Sequence, residues 1–131
     1  MKQNFDVGKI EKALALAVKE GNVSEKIFKG QRPNVEANML DFVVVSVVTR
    51  VTDRGALGRC TCRIELFAKN LSNGEKNDTK LSILYEKLIN IFPIQHSTYF
   101  FDIYPSTIPL GNDGYGYNVI AIQFGTHIKT L

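Results

Sequence analysis

Residues 41–52 read Asp-Phe-Val-Val-Val-Ser-Val-Val-Thr-Arg-Val-Thr, residues 59–69 read Arg-Cys-Thr-Cys-Arg-Ile-Glu-Leu-Phe-Ala-Lys, and these two stretches decide the fold. Both are dense in β-branched and aromatic residues, which favours two strands joined by the loop 53–58. If positions that sum to 111 are paired, one face of the hairpin is almost wholly apolar. That face has Val43, Val45, Val47, Thr49 and Val51 opposite Ala68, Leu66, Ile64, Cys62 and Cys60. We therefore expect an antiparallel hairpin in this register, with this face buried.

The other face of the hairpin is polar towards the loop and apolar only at its base. There Val44 meets Phe67, whereas Arg50 and Arg59 lie near the tip. A face of this kind is at most half covered by the rest of the chain.

Two helices flank the hairpin in sequence. Asp6 is a candidate N-cap for the first helix, and Gly21 is expected to supply the left-handed residue that ends it. Asn77 or Asp78 caps the second helix, and Pro93 stops it. Apolar residues recur at helical spacing in both: Ile10, Ala13, Leu14, Ala17 and Val18, then Leu81, Leu84, Tyr85, Leu88 and Phe92.

The remaining chain predicts a turn-rich or short extended link at 28–34, a third strand at 99–104, a loop with Pro109 and three glycines, and a last strand at 118–128. The order is α-β-β-α-β-β. The fold class is therefore α+β, an antiparallel sheet with two helices packed on one face. The 131 residues, 1–131, are expected to form a single domain.

Composition excludes several broad classes. The chain is 44% hydrophobic and 22% charged, as in an ordinary globular protein and unlike a disordered or fibrous one. It has no apolar run of ~18 residues and no secretory leader at its start, so we expect no membrane association. Cys60 and Cys62 are too close along one strand for an easy bridge, which predicts reduced thiols and a cytoplasmic setting.

The residues that usually carry chemistry are sparse. His96 and His127 have no carboxylate or cysteine at ligand spacing, and Cys60 and Cys62 are expected to be small core residues. The glycine pattern at 111–116 resembles a phosphate loop, but it precedes a strand and not a helix N-terminus. We therefore predict no catalytic residue, no metal site and no cofactor, and hence a protein that is not an enzyme.

Surface character is the remaining signal. The hairpin tip concentrates basic residues, Arg50, Arg54, Arg59 and Arg63. They form either a solvated hairpin end or a basic finger that faces phosphate or an acidic partner. Residues 81–131 contain only 2 basic and 3 acidic residues, against 14 and 10 in residues 1–80, which favours core or a covered surface. We take as candidate subunit-interface residues Ile83, Tyr104, Tyr115 and Tyr117.

The order of the pieces from about residue 5 to residue 128 resembles the tail-terminator proteins of long-tailed bacteriophages, the lambda-type minor tail protein U group. The likeness rests on the N-terminal helix, the link Phe28-Lys29-Gly30-Gln31-Arg32-Pro33, the strand start Asp41-Phe42-Val43-Val44-Val45 and the strand Arg63-Ile64-Glu65-Leu66-Phe67. The chain departs from the family pattern at Gln31, an additional residue, and at the glycine-tyrosine loop 111–117.

This resemblance implies a phage or prophage structural protein that assembles as a ring, typically a hexamer, on the last ring of the tail tube. The ring stops tube polymerisation, offers a surface to head-completion proteins and lets DNA pass. It would be found in the cytoplasm of the bacterial host during assembly and then in the virion tail. The alternative is a small ligand- or protein-binding module encoded by a mobile element, in which the aromatic C-terminal loop forms a pocket.

Overall fold

The computed structural model describes residues 6–34, 39–53, 57–102 and 104–129. These residues form two helices and seven strands. In chain order they are α1 Val7–Glu20, β1 Ile27–Lys29, β2 Asp41–Val47, β3 Thr52–Asp53, β4 Leu57–Lys69, α2 Asp78–Ile89, β5 Tyr99–Phe101, β6 Ser106–Asn112 and β7 Tyr117–Lys129.

All seven strands join one sheet in the order β1-β2-β4-β7-β5, with β3 also beside β4 and β6 also beside β7. The long strands β4 and β7 pair antiparallel along their whole length, from Leu57 opposite Lys129 to Lys69 opposite Tyr117. The α+β class is confirmed. The predicted all-antiparallel sheet needs one correction, because β1, in the link after α1, pairs parallel with β2.

Both helices pack on the same face of the sheet, as predicted. Alternate residues of β4, from Cys60 to Ala68, lie beneath them together with the facing residues of β2 and β7. The helices contribute to this core Ile10, Leu14, Val18, Leu81, Leu84 and Leu88.

The two cysteines are free and buried in this core, which confirms their predicted place. Thr126 Oγ1 lies 3.2 Å from Cys62 Sγ and donates to it. The neighbouring Cys60 thiol and burial hold the pKa of Cys62 far above its ordinary value. Cys62 therefore remains a thiol in the folded chain.

The predicted hairpin register is wrong by two residues at its base and right at its tip. Val43 lies opposite Leu66 and Val45 opposite Ile64, so the paired positions sum to 109. Thr52 lies opposite Arg59, which is the predicted sum of 111. A shift of two residues keeps the paired side chains of β2 and β4 on their predicted faces, so Val43, Val45 and the alternate residues of β4 are buried as predicted. The prediction that Thr49 is buried is wrong, because Thr49 lies beyond the end of β2 and is exposed.

An irregular segment at residues 48–51 absorbs the two extra residues. It leaves the ladder after the backbone bond from Val48 N to Thr61 O, 2.9 Å long. Thr49 Oγ1 then accepts a bond of 2.8 Å from Thr61 N. A side-chain hydroxyl thus replaces a backbone partner, which lets the strand bulge outward without an unsatisfied amide.

The first helix begins as predicted, because the side chain of Asp6 accepts from Gly8 N at 2.9 Å. Its end differs. Gly21 has φ −78°, and the left-handed residue is Asn22 with φ 53°. Gly21 is needed for another reason: a Cβ there would lie 2.3 Å from Ile91 Cγ2, where the chain after α2 passes the end of α1.

The predicted loop after Pro105 is largely a strand. Residues 106–112 form β6 and pair with β7 at the edge of the sheet, with a bulge between Pro109 and Gly111. An edge strand can contain a proline, because one side of its backbone needs no ladder bond. Its side chains are mostly exposed, so it lacks the alternation that reveals a half-buried strand.

The face of the sheet opposite the helices is half covered, as predicted. A small apolar cluster lies at its base, formed by Phe28, Met39, Phe42, Val44, Phe67, Tyr117 and Val119. Phe42 and Phe67 stack with ring centroids 4.3 Å apart. The hydroxyl of Tyr117 donates to the carbonyl of Met39 at 2.6 Å.

Arg32 covers this cluster. Its guanidinium carbon lies 5.8 Å or less from the centroids of four rings, those of Phe42, Phe67, Tyr115 and Tyr117. Arg32 Nη1 is also 2.8 Å from Asp113 Oδ2. Asp113 Oδ1 accepts from the backbone nitrogens of Tyr115 and Tyr117, which sets the shape of the glycine-tyrosine loop. The clamp of Arg32 and Asp113 therefore ties that loop to the link after β1.

We predict that Val45→Asp unfolds the chain. Val45 is fully buried between the helices and the sheet, and an unpaired carboxylate there should cost roughly 3–5 kcal/mol, a large part of a typical domain's stability. The matched control is Val48→Asp in the irregular segment, where the side chain is 39% exposed. Chemical denaturation monitored by circular dichroism compares the two. Equal stability of both variants would contradict the assigned core.

We also predict that Arg32→Ala lowers the free energy of unfolding by about 2–3 kcal/mol, since it leaves the nearly buried carboxylate of Asp113 unpaired. Adding Asp113→Asn should restore part of this loss. Arg59→Ala on the uncovered face serves as the control and should change stability by less than ~0.5 kcal/mol. Urea denaturation of the wild type, both single variants, the double variant and the Arg59→Ala control measures these values. An additive double variant would rule out the coupling between Arg32 and Asp113.

Candidate functional site

The uncovered half of the second sheet face forms a polar surface, which we call the arginine surface. It lies beyond the apolar cluster, towards the start of β4 and the end of β7. In the described chain it consists of Arg50, Thr61, Arg59, Arg63, Gln123, Gly125 and His127. The alternation along β4 puts its arginines here, because Cys60 and Cys62 between them point to the helices.

The bulge at 48–51 brings Arg50 beside Arg59. Together with Thr49, Thr52, Cys60 and Thr61, these two arginines line a shallow depression of about 300 Å³. Arg50 and Arg59 are both exposed. An open depression with two guanidinium groups and hydroxyls at its rim suits a phosphate or carboxylate group.

The other two predicted arginines differ from this pair. Arg63 is half-buried, and its Nε and Nη2 both donate to Gln123 Oε1, at 3.1 and 2.9 Å. Its guanidinium is therefore held flat on the sheet. Arg54 lies outside the described residues.

Two acids moderate the charge of this surface. Asp102 Oδ2 and Arg59 Nη2 each lie 3.9 Å from where a Cβ on Gly125 would be, so the carboxylate and the guanidinium share that glycine's open space. Glu65 is half-buried between Val44 and Ala121. Burial raises the pKa of Glu65, and the nearby charge of Arg63 partly opposes that rise.

The four candidate interface residues differ in how far they are exposed. Tyr104 and Tyr115 are 82% and 77% exposed, and Ile83 is 43% exposed on α2. Tyr117 is only 3% exposed, so its assignment to a subunit surface is wrong. Its place on β7 opposite Lys69 directs it into the apolar cluster, whereas Tyr115 is in the turn.

Sequence reasoning missed further exposed apolar residues near Tyr104. Phe100 on β5 and Leu110 on β6 are both exposed, along the same edge of the sheet. From residue 99 to residue 112 the only charged residue is Asp102. The low charge of this part of the sequence could have indicated these exposed apolar residues. The sequence did not predict that β6 is a strand at the edge of the sheet.

A larger groove was missed entirely. It has a volume of about 910 Å³ and lies between the end of α1, the starts of β1 and β2, and α2. Four lysines line it, Lys19, Lys26, Lys80 and Lys87. Only the spacing of Lys80 and Lys87, seven residues apart on one helix, could have indicated it, because the other two are brought near by the tertiary fold.

Within the described ranges, no group of three or more histidine, cysteine, aspartate or glutamate side chains is arranged to hold a metal ion. Neither described helix is long and apolar enough to cross a membrane.

Comparison with known proteins shows the fold and no more. No family model and no curated protein matches the chain. Solved structures do: one aligns with a TM-score of 0.60 over 95% of this chain and 93% of its own, at 12% sequence identity. Such coverage shows that the architecture as a whole is shared. At this identity the likeness carries no information about activity or partners.

We predict that Glu65→Gln stabilises the chain at pH 7. Because the pKa of Glu65 is raised in the folded state, its contribution to stability is favourable at low pH and is lost as pH rises above the unfolded value. The gain from the neutral side chain should therefore vanish below about pH 4, where glutamate is protonated in both states. Thermal melts across this range test it, with the exposed Glu75→Gln as control. A gain that is the same at every pH would contradict the assignment.

Proposed function

We propose that this protein is a structural component of a phage or prophage tail, which forms a homo-oligomeric ring, typically a hexamer, at the end of the tail tube. In this role the ring stops tube polymerisation and presents a surface to head-completion proteins. The observation that carries the proposal is that a nearly uncharged, apolar sheet edge adjoins a basic surface on one small domain.

The sheet edge supports self-association. β6 has one side of its backbone unpaired within the described chain, and Phe100, Tyr104 and Leu110 are exposed along the same edge. Natural proteins protect such an edge with charged residues, prolines or bulges, and β6 has Pro109 and a bulge but no charged side chain. Here Asp102 alone is charged between residues 99 and 112, which suits an edge that a neighbouring subunit covers.

The arginine surface supports a role beside an anionic partner. Arg50 and Arg59 are exposed at the end of the sheet and are not among the buried core residues, so folding does not need them. In a ring they would face either the phosphates of passing DNA or an acidic docking protein. The role requires no catalytic residue or cofactor, and the chain is accordingly proposed not to be an enzyme.

The proposed location follows from the role: the cytoplasm of the bacterial host during assembly, then the virion tail.

A binding module of a mobile element is the second candidate. The observation that favours it is the groove of about 910 Å³, whose lining includes no residue of the aromatic loop first expected to form a pocket.

The direct test is assembly. Tubes polymerised from the tail-tube protein of the same phage or prophage should be shorter when this chain is added, because capped ends stop growing, and should show a ring at one end by electron microscopy. The chain alone should have the mass of a multimer by light scattering. Tubes of unchanged length distribution would refute the proposed role.

We predict that Arg50→Ala with Arg59→Ala keeps the fold but impairs the basic surface. Stability should change by less than ~0.5 kcal/mol per exposed arginine. If phosphate is the partner, DNA binding by the ring should weaken with salt, and the log–log slope should be smaller in the variant. If an acidic protein is the partner, head joining should fail while DNA binding stays negligible. The control, Lys9→Ala with Lys12→Ala on α1, removes equal charge elsewhere. If head joining and the salt dependence of DNA binding are both unchanged, the two arginines are ordinary solvated surface residues.

A further inference from the structure

The groove between the helices, which we call the lysine groove, has a basic rim and a largely polar lining, with Val23 and Leu84 buried beneath it. At its edges the apolar side chains of Leu40 and Ile83 are 65% and 43% exposed. Exposed branched apolar side chains beside a concave surface are typical of a site that another macromolecule covers.

The charge of the rim is not neutralised within the described chain. Lys80 Nζ pairs with Asp41 Oδ2 at 2.8 Å, and Ser24 Oγ donates to the other oxygen of the same carboxylate. The ion pairs among the described residues involve none of the other three lysines, Lys19, Lys26 and Lys87. Against these three cations the rim has one further acid, Glu25. The groove therefore has an excess of positive charge.

We propose that the lysine groove binds an acidic, amphipathic segment of a partner protein, with apolar side chains against Leu40 and Ile83 and carboxylates against Lys19, Lys26 and Lys87. The exposed side chains of Leu40 and Ile83 favour a protein segment over duplex nucleic acid, whose outer backbone offers phosphates but no apolar group to cover them. The rim uses lysines, whose mobile point charges suit scattered carboxylates.

The exposed sheet edge of a second copy is a poor source for such a segment. Between Phe100 and Tyr104 the single carboxylate, that of Asp102, already shares its space with Arg59. One carboxylate does not match three free lysines. Charge complementarity thus points to a different protein.

The groove and the arginine surface lie at opposite ends of the sheet, because the groove is at the start of β2, which pairs with the end of β4, and the arginines are near the start of β4. Two anionic partners can then bind one subunit at once. This part of the inference rests on the proposed function: in a tail-end ring, the groove would hold an acidic segment of the tube or head-completion protein.

The test on the isolated chain does not depend on the phage role. The probe is a short synthetic peptide that alternates leucine and glutamate, titrated by fluorescence anisotropy beside a short DNA duplex. We expect Lys26→Glu with Lys87→Glu to weaken peptide binding by about tenfold or more and to leave DNA binding unchanged. The control is Lys9→Glu with Lys12→Glu on the outer side of α1, which should bind the peptide like the wild type.

Three results would overturn the groove assignment: equal peptide binding by both double variants, no peptide binding by the wild type, or loss of DNA binding specific to the groove variant. In the reconstituted tail, the groove variant should form rings but fail to cap tubes or join heads. Loss of the ring itself would mean that a second copy fills the groove and would also overturn the proposal. If the peptide binds as expected but the wild type neither forms rings nor caps tubes, the proposed function fails while the groove assignment stands.

Discussion

The pairing of β4 with β7 is the constraint on which the rest of the structure depends. Thirteen residues of each strand are joined in one unbroken antiparallel ladder. That ladder fixes which residues of both strands point to the helices, since a slip by one residue would exchange the two faces. The helices then pack where Cys62, Ile64 and Leu66 face Phe124, Ile122 and Ile120.

The same ladder determines what the second face can be. The residues that alternate with the core positions are Arg59, Thr61, Arg63 and Glu65 on β4, and these cannot form an apolar layer. Only at the end marked by Phe67 and Tyr117 is the face apolar enough to be covered. There Arg32 covers the apolar cluster, with its guanidinium among aromatic rings and its charge paired with Asp113. The other half of this face is uncovered and basic. One half of the face therefore stabilises the fold, and the other half is accessible to solvent.

The sequence predicted the parts of the fold that follow from local pattern and burial. The sequence was sufficient to predict the helix cap at Asp6, the buried cysteines and the long last strand. Each of these depends on neighbours along the chain or on strict alternation. The arginine surface was also predicted in outline, since alternation beside Cys60 and Cys62 leaves Arg59 and Arg63 on the opposite face. The hairpin register was predicted correctly at Thr52 but not at Val45, because a bulge in the middle of a strand leaves no mark on hydrophobic alternation when it shifts the pairing by two.

What the sequence by itself determined, therefore, is the set of elements and the side of the sheet to which each side chain belongs. Tertiary structure alone decided which distant residues share a surface. It placed Arg32 against Asp113, turned Tyr117 inward, made residues 106–112 an edge strand and gathered lysines from α1, the following turn and α2 around one groove. The physical reason is that periodicity along a chain indicates only which side chains of one helix or strand face the layer packed against it. Contacts between segments tens of residues apart depend on how those faces are stacked.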